Sequence, residues 1–339
     1  MAEINKPISI YPDKIKEQIL KEAAEAGLLP KESKDNNEIK NSIRKNEQEK
    51  DEKYIESAKK RLEELEKIVG FGDHWMICDG PNRGYEYTHD NLLYSIALSS
   101  LGDTQKAKED LENTLYHIPF GRYGMIGYKR EGEHEFTYNN LLYSIALSFL
   151  GDTQKAKEVL ENTLKNVVFE RHGMIGNEPG GEYEFTYNNL LYSIALFLAN
   201  DVQKAKEVLE NTLKNVPFGD HGMIGYRRGD KDEYTKNNLT YSITLSSLGD
   251  TQKAKQVLEN TLKNVSFGPH GMIDYGPNNK DKYYTQDSLL LIIAEALIGK
   301  ANKKTKNKES NKSANEIMKA SKNLENDLDN IVKEAIKIK

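Results

Sequence analysis

The sequence predicts an all-α protein built from helical hairpins that are repeated in tandem. The tetrad Asn-Leu-Leu-Tyr begins at Asn91, Asn140 and Asn189, and Asn-Leu-Thr-Tyr begins at Asn238, so the same segment returns every 49 residues. A loop motif, Gly-Met-Ile, follows the same period, and each period contains two segments with the apolar spacing of a helix. A fixed period of this length is the signature of a repeat architecture.

The first helix of each repeat, here called the inner helix, is predicted from segments such as 91–101. Leu92 and Ile96 lie on one apolar face of this segment, while Tyr94 and Leu98 lie on a second face. A helix that is apolar on nearly all sides is buried between other elements. We therefore expect the inner helices to form the buried layer of the fold.

The second helix, here called the outer helix, has a single apolar stripe. In the first complete repeat the stripe consists of Ala107, Leu111 and Leu115, and the remaining surface is mostly charged. This pattern predicts that the outer helix covers the inner helix from the solvent side. Gly102 and Asp103 lie between the two helices, where glycine suits a left-handed helix end and aspartate caps the next helix.

A long loop connects each outer helix to the next inner helix. Its second copy is the segment 120–136, whereas connections between helices usually contain about 2–8 residues. The loop keeps its length in further copies, which predicts a fixed shape. Each loop ends in a threonine, such as Thr88 or Thr137, that we expect to cap the following inner helix. All of the loops should then lie at one end of the assembly.

The two ends of the chain depart from the repeat. Apolar stripes predict terminal helices at 13–28 and 313–337. We predict an N-terminal helix and a polar linker in residues 1–50 and a helical-hairpin repeat domain in 51–299. Residues 300–339 are predicted to form a lysine-rich linker and a C-terminal helix that packs on the repeat domain.

Composition and motifs argue against several classes of protein. The formal net charge is −5, so the chain lacks the basic excess that is typical of nucleic-acid binding. Cys78 is the only cysteine, which excludes an intrachain disulfide and fits a reducing compartment. No apolar run is long enough for a secretory signal or a membrane span, so we expect a soluble cytoplasmic protein. Phosphate-loop, dinucleotide and zinc motifs are absent as well, and we expect no cofactor and no metal.

The repeat resembles two known families of helical proteins. The hairpin LLYSIALSFLGDTQKAKEVLENTL, at 141–164, is similar to a tetratricopeptide unit in its glycine turn and in small residues such as Ala146 and Ala156. Its period is 49 residues rather than about 34, and the long loop has no counterpart in that family. The whole unit, with GMIG before EFTYNNLLYSIALSFLGD, is more similar to the hairpins of α/α toroids of the six-hairpin glycosidase type.

The resemblance to these toroids implies a closed ring whose loops line a substrate mouth. Six segments could serve as inner helices, namely 13–28 and the inner helices of five repeats, and six others could serve as outer helices. The predicted fold class is therefore all-α, with tandem hairpins of about 49 residues that form an α/α toroid. The alternative is an open superhelix of the tetratricopeptide type.

Four loop histidines occupy one position of the repeat. An arc of imidazoles at one end of the assembly could bind a metal or an anionic ligand. We favour the alternative of a hydrogen bond that shapes each loop, because Tyr123 takes this position in the second copy and tyrosine is a poor zinc ligand. The four residues are His74, His172, His221 and His270.

Acidic and aromatic residues crowd the same loops. The carboxylates could act as acid and base on a glycosidic bond, or could simply interact with the helix N-termini. Flat aromatic rings in a polar, concave site suit contact with a sugar or a peptide. A separate series of phenylalanines, from Phe71 to Phe267, is predicted to fill the base of each loop. We expect a ligand to contact Trp75, Tyr128, Tyr138, Tyr187, Tyr226, Tyr275, Glu135 and Glu184.

Departures from the repeat bear on catalysis. A hydrolase needs an acid and a base in different environments, whereas most polar groups here occur in four or five copies. Asp79, His89 and Asp90 are departures in the first copy, and they are the catalytic candidates if the protein is an enzyme. His89 and Asp90 lie in the first turn of an inner helix, at the loop end.

Near-identical repeats suit a repeated binding surface better than a single reaction site. The sequence therefore predicts a non-catalytic repeat protein, a scaffold that presents its loop face to a peptide, a protein or a glycan. The alternative is a carbohydrate-active α/α-toroid enzyme of the glycoside hydrolase type.

Overall fold

The structure, a computed structural model, describes residues 34–301 with short gaps in the loops, and it describes residues 34–51 without their side chains. The chain divides into two compact units, Met1–Lys50 and Asp51–Lys339, and the repeats belong to the second. The helices predicted at 13–28 and 313–337 lie outside the described residues. The gaps are 82–83, 131–133, 170–171, 182, 269 and 279–281.

Inner and outer helices alternate along the repeats, and a short antiparallel hairpin is present in the fourth full-length loop, before α8. No helix in the described ranges is long and apolar enough to cross a membrane. The inner helices are α2 (Thr88–Leu101), α4 (Thr137–Phe149), α6 (Thr186–Leu198), α8 (Thr235–Ser247) and α10 (285–301). The outer helices are the end of α1 (Lys34–Val69), α3 (Thr104–His117), α5 (Thr153–Asn166), α7 (Val202–Asn215) and α9 (Thr251–Asn264). The strands are β1 (Gly225–Arg227) and β2 (Asp230–Glu233).

The turn inside each hairpin has the conformation that its residues predict. Gly102 follows α2 with φ 98°, in the left-handed region, and its N–H bonds to the carbonyl of Ser99. Asn200 takes φ 69° at the same position of the third hairpin, because asparagine also tolerates this conformation. The side chain of Asp103 accepts a hydrogen bond from the backbone N–H of Lys106 and so caps α3.

The threonine before each inner helix does not cap that helix, so this part of the sequence prediction is wrong. The N-cap residue of α2 is Tyr87, and Thr88 is already helical. The hydroxyl of Thr88 is buried beneath the next loop, where it donates to the carbonyl oxygen of Gly127 at 2.7 Å. Its backbone N–H bonds to the carbonyl of Tyr128 at 3.1 Å. The threonine thus ties its inner helix to the neighbouring repeat.

The same bond closes the repeats into a ring. The hydroxyl of Thr285, at the start of α10, donates to the carbonyl of Cys78 in the first loop at 2.7 Å, although 207 residues separate the two. The backbone N–H of Thr285 bonds to the carbonyl of Asp79 at 3.0 Å. Arg61 of α1 forms an ion pair with Glu295 of α10, so the end of α1 is the outer helix of the fifth hairpin.

The predicted α/α toroid is therefore present, and the open superhelix is excluded. The ring contains the five inner helices that the structure describes, whereas the sequence offered six candidates, of which 13–28 lies outside the described residues. All five contribute apolar side chains to a void of only about 20 Å³ on the ring axis, so the ring is filled behind its loops. The side chains include Leu93, Leu142, Leu191, Ile243 and Leu290.

The recurring loop phenylalanines do not fill the core, contrary to the sequence prediction. Phe71 is 41% exposed, and its ring meets Tyr94 of the inner helix with centroids 5.8 Å apart. The buried place beneath the loop is taken by Met76 and Ile77, which are 1% and 0% exposed. The Met-Ile pair therefore anchors each loop, and the phenylalanine covers it.

Candidate active site

The inner helices all begin at one end of the ring, where the loops surround an open cavity of about 670 Å³ that we call the mouth. Three positions in each repeat supply most of its wall. They are the residue two places after the loop isoleucine, the residue before the threonine and the residue after the threonine. The first position supplies Asp79, Tyr128, Asn177, Tyr226 and Tyr275, and the second supplies Tyr87, Phe136, Phe185 and Tyr284. The third position supplies His89, Tyr138, Tyr187, Lys236 and Gln286. Tyr85, Asp90 and Asn188 complete the wall.

The mouth is asymmetric although the repeats around it are nearly identical. The residue after the threonine is histidine, tyrosine, tyrosine, lysine and glutamine in the five successive repeats, and all five of these residues line the mouth. The outer helices α5 and α7, by contrast, differ at one position only. The repeat is thus copied where it builds the ring and varied where it faces the cavity. One cavity with unique residues meets the requirement of a single reaction site.

Aromatic rings form a belt around the mouth. Tyr87 stacks on Tyr128 with ring centroids 4.9 Å apart, and Phe136 stacks on Tyr138 at 5.4 Å. Further ring contacts continue the belt through the fourth and fifth repeats. The belt offers flat apolar faces interspersed with phenolic hydroxyl groups, and both suit a ligand with apolar faces and polar edges.

His89 lies in this belt and is only 12% exposed. Its ring stacks on Tyr87 at 5.5 Å and meets Tyr138 edge-on at 5.7 Å. Burial and the nearby charge of Lys236 lower the pKa of His89 to about 3. The imidazole is therefore neutral at physiological pH and forms a polar part of the wall.

Asp90 follows His89 and is 1% exposed, yet it lines the mouth. Neither carboxyl oxygen has a hydrogen-bond partner within the described ranges, and Nε2 of His89 is 3.6 Å from Oδ1, beyond hydrogen-bond range. Burial raises the pKa of Asp90 well above its usual value, and Asp79 and Asp287 raise the pKa further. These effects favour a protonated carboxyl group whose proton is available to a ligand.

Three other repeats carry asparagine at the position of Asp90. Nδ2 of Asn139 donates to the carbonyl of Gly127 at 3.2 Å, and Nδ2 of Asn237 donates to the carbonyl of Gly225 at 3.1 Å. The amide therefore has a structural role that an ionised aspartate cannot fill, since a carboxylate is an acceptor only. The change to Asp90 removes this bond and places an acid in the mouth.

Asp287 and Lys236 lie near Asp90, and each affects the titration of the other. Asp287 occupies the equivalent position in the fifth repeat and is fully buried. Burial raises the pKa of Asp287 to about 8, and the charge of Lys236 opposes this rise. Burial also lowers the pKa of Lys236, which Asp287 opposes in turn. The ammonium of Lys236 lies 5.4 Å from the ring centroid of Tyr187, over the face of the ring.

Asp79 completes the group of carboxyl side chains at the mouth and is 7% exposed. Its backbone N–H bonds to the carbonyl of Tyr85 at 3.0 Å, and its carbonyl accepts the ring-closing bond from Thr285. Ring closure therefore places Asp79 between the starts of α2 and α10, near Asp90. The three catalytic candidates from the sequence, Asp79, His89 and Asp90, meet in one cavity.

The predicted ligand-binding residues divide into two groups. The five tyrosines at 128, 138, 187, 226 and 275 line the mouth. Trp75, Glu135 and Glu184 do not. Trp75 is 80% exposed on the first loop, whereas Glu135 is 6% exposed and accepts a bond from the backbone N–H of Met125 at 2.9 Å. Glu184 contacts Nδ1 of His172 at 3.2 Å, so both glutamates bind their own loops.

The loop histidines take part in the same internal bonding. Nδ1 of His221 lies 2.5 Å from a carboxylate oxygen of Glu233, and Nδ1 of His74 lies 2.6 Å from Glu86. In the loop of His270, a tyrosine takes the place of this glutamate. Across the described part of the chain, His, Cys, Asp and Glu side chains nowhere form a group of three that could hold a metal ion.

Lys236, Gln286 and Asp287 lie in or beside the mouth but were not predicted from the sequence. The repeat itself carries the signal that could have found them. Comparing the residue after each threonine identifies Lys236 and Gln286 as departures, and the next position sets Asp287 and Asp90 apart from asparagine in the other repeats.

No family model matches the chain, and no curated protein matches it in sequence. A family 76 α-mannanase of Bacteroides thetaiotaomicron is similar in structure, with a TM-score of 0.49 at 11% identity over 75% of this chain and 97% of that chain. A D-mannose isomerase has a TM-score of 0.46 at 11% identity over 67% and 75% of the two chains. An α-amylase of Clostridium perfringens has a TM-score of 0.45 at 9% identity over 70% and 96%. These likenesses are too low to indicate an activity, and the fold assignment rests on the ring itself.

Proposed function

We propose that this protein binds a saccharide in the mouth and hydrolyses one of its glycosidic bonds, with Asp90 as the general acid. The observation that carries the proposal is the buried carboxyl group of Asp90, which has no hydrogen-bond partner in the described structure and lines an asymmetric, aromatic cavity. The proposal adopts the alternative that the sequence left open, a carbohydrate-active toroid, in place of a non-catalytic scaffold.

The size and lining of the mouth support a sugar as the ligand. A cavity of about 670 Å³ lies within the range of small-molecule sites, roughly 300–1,000 Å³. Aromatic faces pack against the apolar C–H face of a pyranose ring, while the amides of Asn177, Asn188 and Gln286 can exchange hydrogen bonds with its hydroxyls.

The carboxyl groups support hydrolysis in addition to binding. Glycoside cleavage needs one carboxylic acid that protonates the leaving oxygen and one carboxylate that stabilises or attacks the anomeric carbon, directly or through water. Burial favours the protonated form of Asp90, and Asp79 lines the mouth as the second carboxyl group. We assign the proton transfer to Asp90 and the stabilisation of positive charge to Asp79.

The variation among repeats supports a single reaction site against a repeated binding surface. Near-identical repeats argued for a scaffold because most polar groups occur in four or five copies. The mouth is where this identity ends, since Asp79, His89 and Lys236 each occur once at their repeat positions.

The test is a panel of chromogenic glycosides assayed with the wild type, Asp90→Asn and Asp79→Asn. We expect turnover of at least one glycoside and a loss of about 10³-fold or more in kcat in both variants. Asp110→Asn is the matched control, because Asp110 is also a buried aspartate but lies on the outer helix α3. It should retain wild-type turnover.

The same variants separate catalysis from binding. Asp90→Asn should still bind the oligosaccharide that the wild type cleaves, since the aromatic belt is unchanged, and calorimetry would measure this. Undiminished cleavage by Asp90→Asn would contradict the assignment of the acid. Binding of an oligosaccharide without turnover by the wild type would return the protein to the class of glycan-binding scaffolds.

A further inference from the structure

Exposed aromatic side chains form a second cluster, outside the mouth, where the first loop meets the end of α3. Trp75 is 80% exposed and Tyr116 is 84% exposed. Their chain neighbours His74 and His117 are in contact, with ring centroids 4.8 Å apart, so Trp75 and Tyr116 lie close together where the first loop meets α3. We call Trp75, Tyr116 and His117 the outer patch.

All three residues of the outer patch depart from the repeat. The position of Trp75 holds glycine in the other four loops, and the position of Tyr116 holds lysine in the other four outer helices. The position of His117 holds asparagine in three of those helices. Trp75 and Tyr116 are exposed and contribute little to packing, so their departure from the repeat together with that of the half-buried His117 indicates a role specific to the first repeat.

The backbone of Trp75 is strained. Its φ is 59°, in the left-handed region, where the equivalent glycines have φ between 67° and 73°. A bulky residue costs free energy in this conformation, whereas glycine does not. The indole side chain is mostly in solvent, so its own burial does not offset the cost. Strain of this kind is concentrated at functional sites.

We propose that the outer patch is a second saccharide-binding site, which holds the extended part of a glycan chain. The exposed faces of Trp75 and Tyr116 can stack on sugar rings, and His117 and Arg130 offer N–H donors beside them. Arg130 is placed there by its contact with Nε2 of His74. Two large apolar side chains among polar neighbours are too few for a stable protein interface, which buries about 800 Å² on each partner.

The first loop connects the outer patch to the mouth. Trp75 and Asp79 lie four residues apart on this loop, one on the outer patch and the other in the wall of the mouth. A long glycan can therefore contact the outer patch while one of its bonds lies at Asp90. This continuity rests on the proposed function, whereas saccharide binding by the outer patch does not.

The test uses the residues of the other repeats as substitutions. Trp75→Gly and Tyr116→Lys introduce the residues that the other repeats carry at these positions, so both variants should fold. Trp75→Gly also removes the backbone strain at position 75. Tyr123→His is the matched control, because it returns an exposed loop aromatic outside the outer patch to the residue of the other repeats. Each protein is run in native gels that contain soluble mannan, xylan, β-glucan or chitosan, and is assayed on a small chromogenic glycoside.

We expect at least one polysaccharide to retard the wild type and Tyr123→His. Its apparent affinity should fall about fivefold or more in Trp75→Gly and in Tyr116→Lys, while kcat/KM on the small glycoside stays unchanged. Equal retardation of all four proteins, or of none, overturns the proposal. So does a wild-type dimer in sedimentation that Trp75→Gly dissociates. If retardation is lost in Trp75→Gly and Tyr116→Lys but the wild type turns over no glycoside, the saccharide site at the outer patch is supported and the proposed hydrolysis is rejected.

Discussion

At the scale of single residues, Asp90 links the stability of the ring to its proposed chemistry. Its pKa in the folded protein is raised well above the ordinary 3.8, so the unfolded chain releases this proton first as the pH rises. Its contribution to stability therefore falls as the pH rises from about 4 toward the folded pKa. This carboxyl group therefore makes the fold less stable at neutral pH than at pH 4.

Asp90→Asn should consequently stabilise the protein while it abolishes turnover. Asparagine at this position donates to a loop carbonyl in three other repeats, for example from Asn188 to Gly176 at 3.4 Å. We expect a gain of about 1 kcal/mol at pH 7, measured by urea unfolding, and a smaller gain at pH 4. A loss of stability at pH 7 would contradict this account of the position.

Asp110 provides an independent test of the same physics outside the mouth. Burial raises its pKa to about 7, although Ser95 donates a hydrogen bond to its carboxylate and Lys106 is nearby. The equivalent residue is valine in three other repeats, where the serine donates instead to a backbone carbonyl, as Ser144 does to Ala156 at 2.8 Å. Asp110 therefore contributes stability that is lost as the pH rises from about 4 to 7.

Asp110→Val should raise stability by about 2 kcal/mol at pH 8 and by much less at pH 4. The difference between wild-type and variant unfolding midpoints, followed from pH 4 to pH 8, measures the effect. A difference that is constant over this range would show that the carboxyl group does not titrate with a raised pKa.

At the scale of elements, the hairpins were predictable because their signals are local. Helical spacing, the Gly-Asp turn and the constant loop length all lie within one repeat. The role of the threonines was not predictable, because Thr88 bonds to a carbonyl 39 residues away and Thr285 to one 207 residues away. The same holds for the mouth, where Asp79, His89 and Asp90 were found as local departures but Asp287 becomes their neighbour only when the ring closes.

The glutamate of each loop should contribute more to stability than the histidine of that loop. In the fourth full-length loop Glu233 is 5% exposed and accepts bonds from the backbone N–H of Met223 at 2.8 Å and of His221 at 3.1 Å. The half-exposed imidazole of His221 contributes one contact to the same carboxylate. We expect Glu233→Ala to cost about 3 kcal/mol and His221→Ala about 1 kcal/mol in urea unfolding.

Addition of zinc or nickel tests whether the loop histidines bind a metal. His74, His172 and His221 each contact a separate glutamate of their own loop, so zinc or nickel should not raise the melting temperature of the wild type. A reproducible rise that disappears in both His172→Ala and His221→Ala would contradict the structural role of these side chains.

At the scale of the whole repeat domain, closure of the ring decides how the repeats unfold. In an open array each repeat contacts only its neighbours, and the terminal repeats fray first. In the ring the first loop and α10 are neighbours, so the bond from Thr285 to Cys78 is equivalent to the bond from Thr186 to Gly225, which measures 2.8 Å. Closure also positions Asp79, so the stability of the ring and the geometry of the mouth depend on the same contact.

Thr285→Val should therefore destabilise the protein at least as much as Thr186→Val, by about 1–2 kcal/mol, because the carbonyl of Cys78 loses its threonine donor whereas the carbonyl of Gly225 keeps a bond from Asn237. Both variants should shift a single urea transition without broadening it, since no repeat of a closed ring is an end. Valine keeps the volume of threonine, so packing is nearly unchanged in both. If Thr285→Val had no effect while Thr186→Val did, or if it produced a second, earlier transition, the first and fifth repeats would be ends of an open array, and Asp79 would not be held beside Asp90.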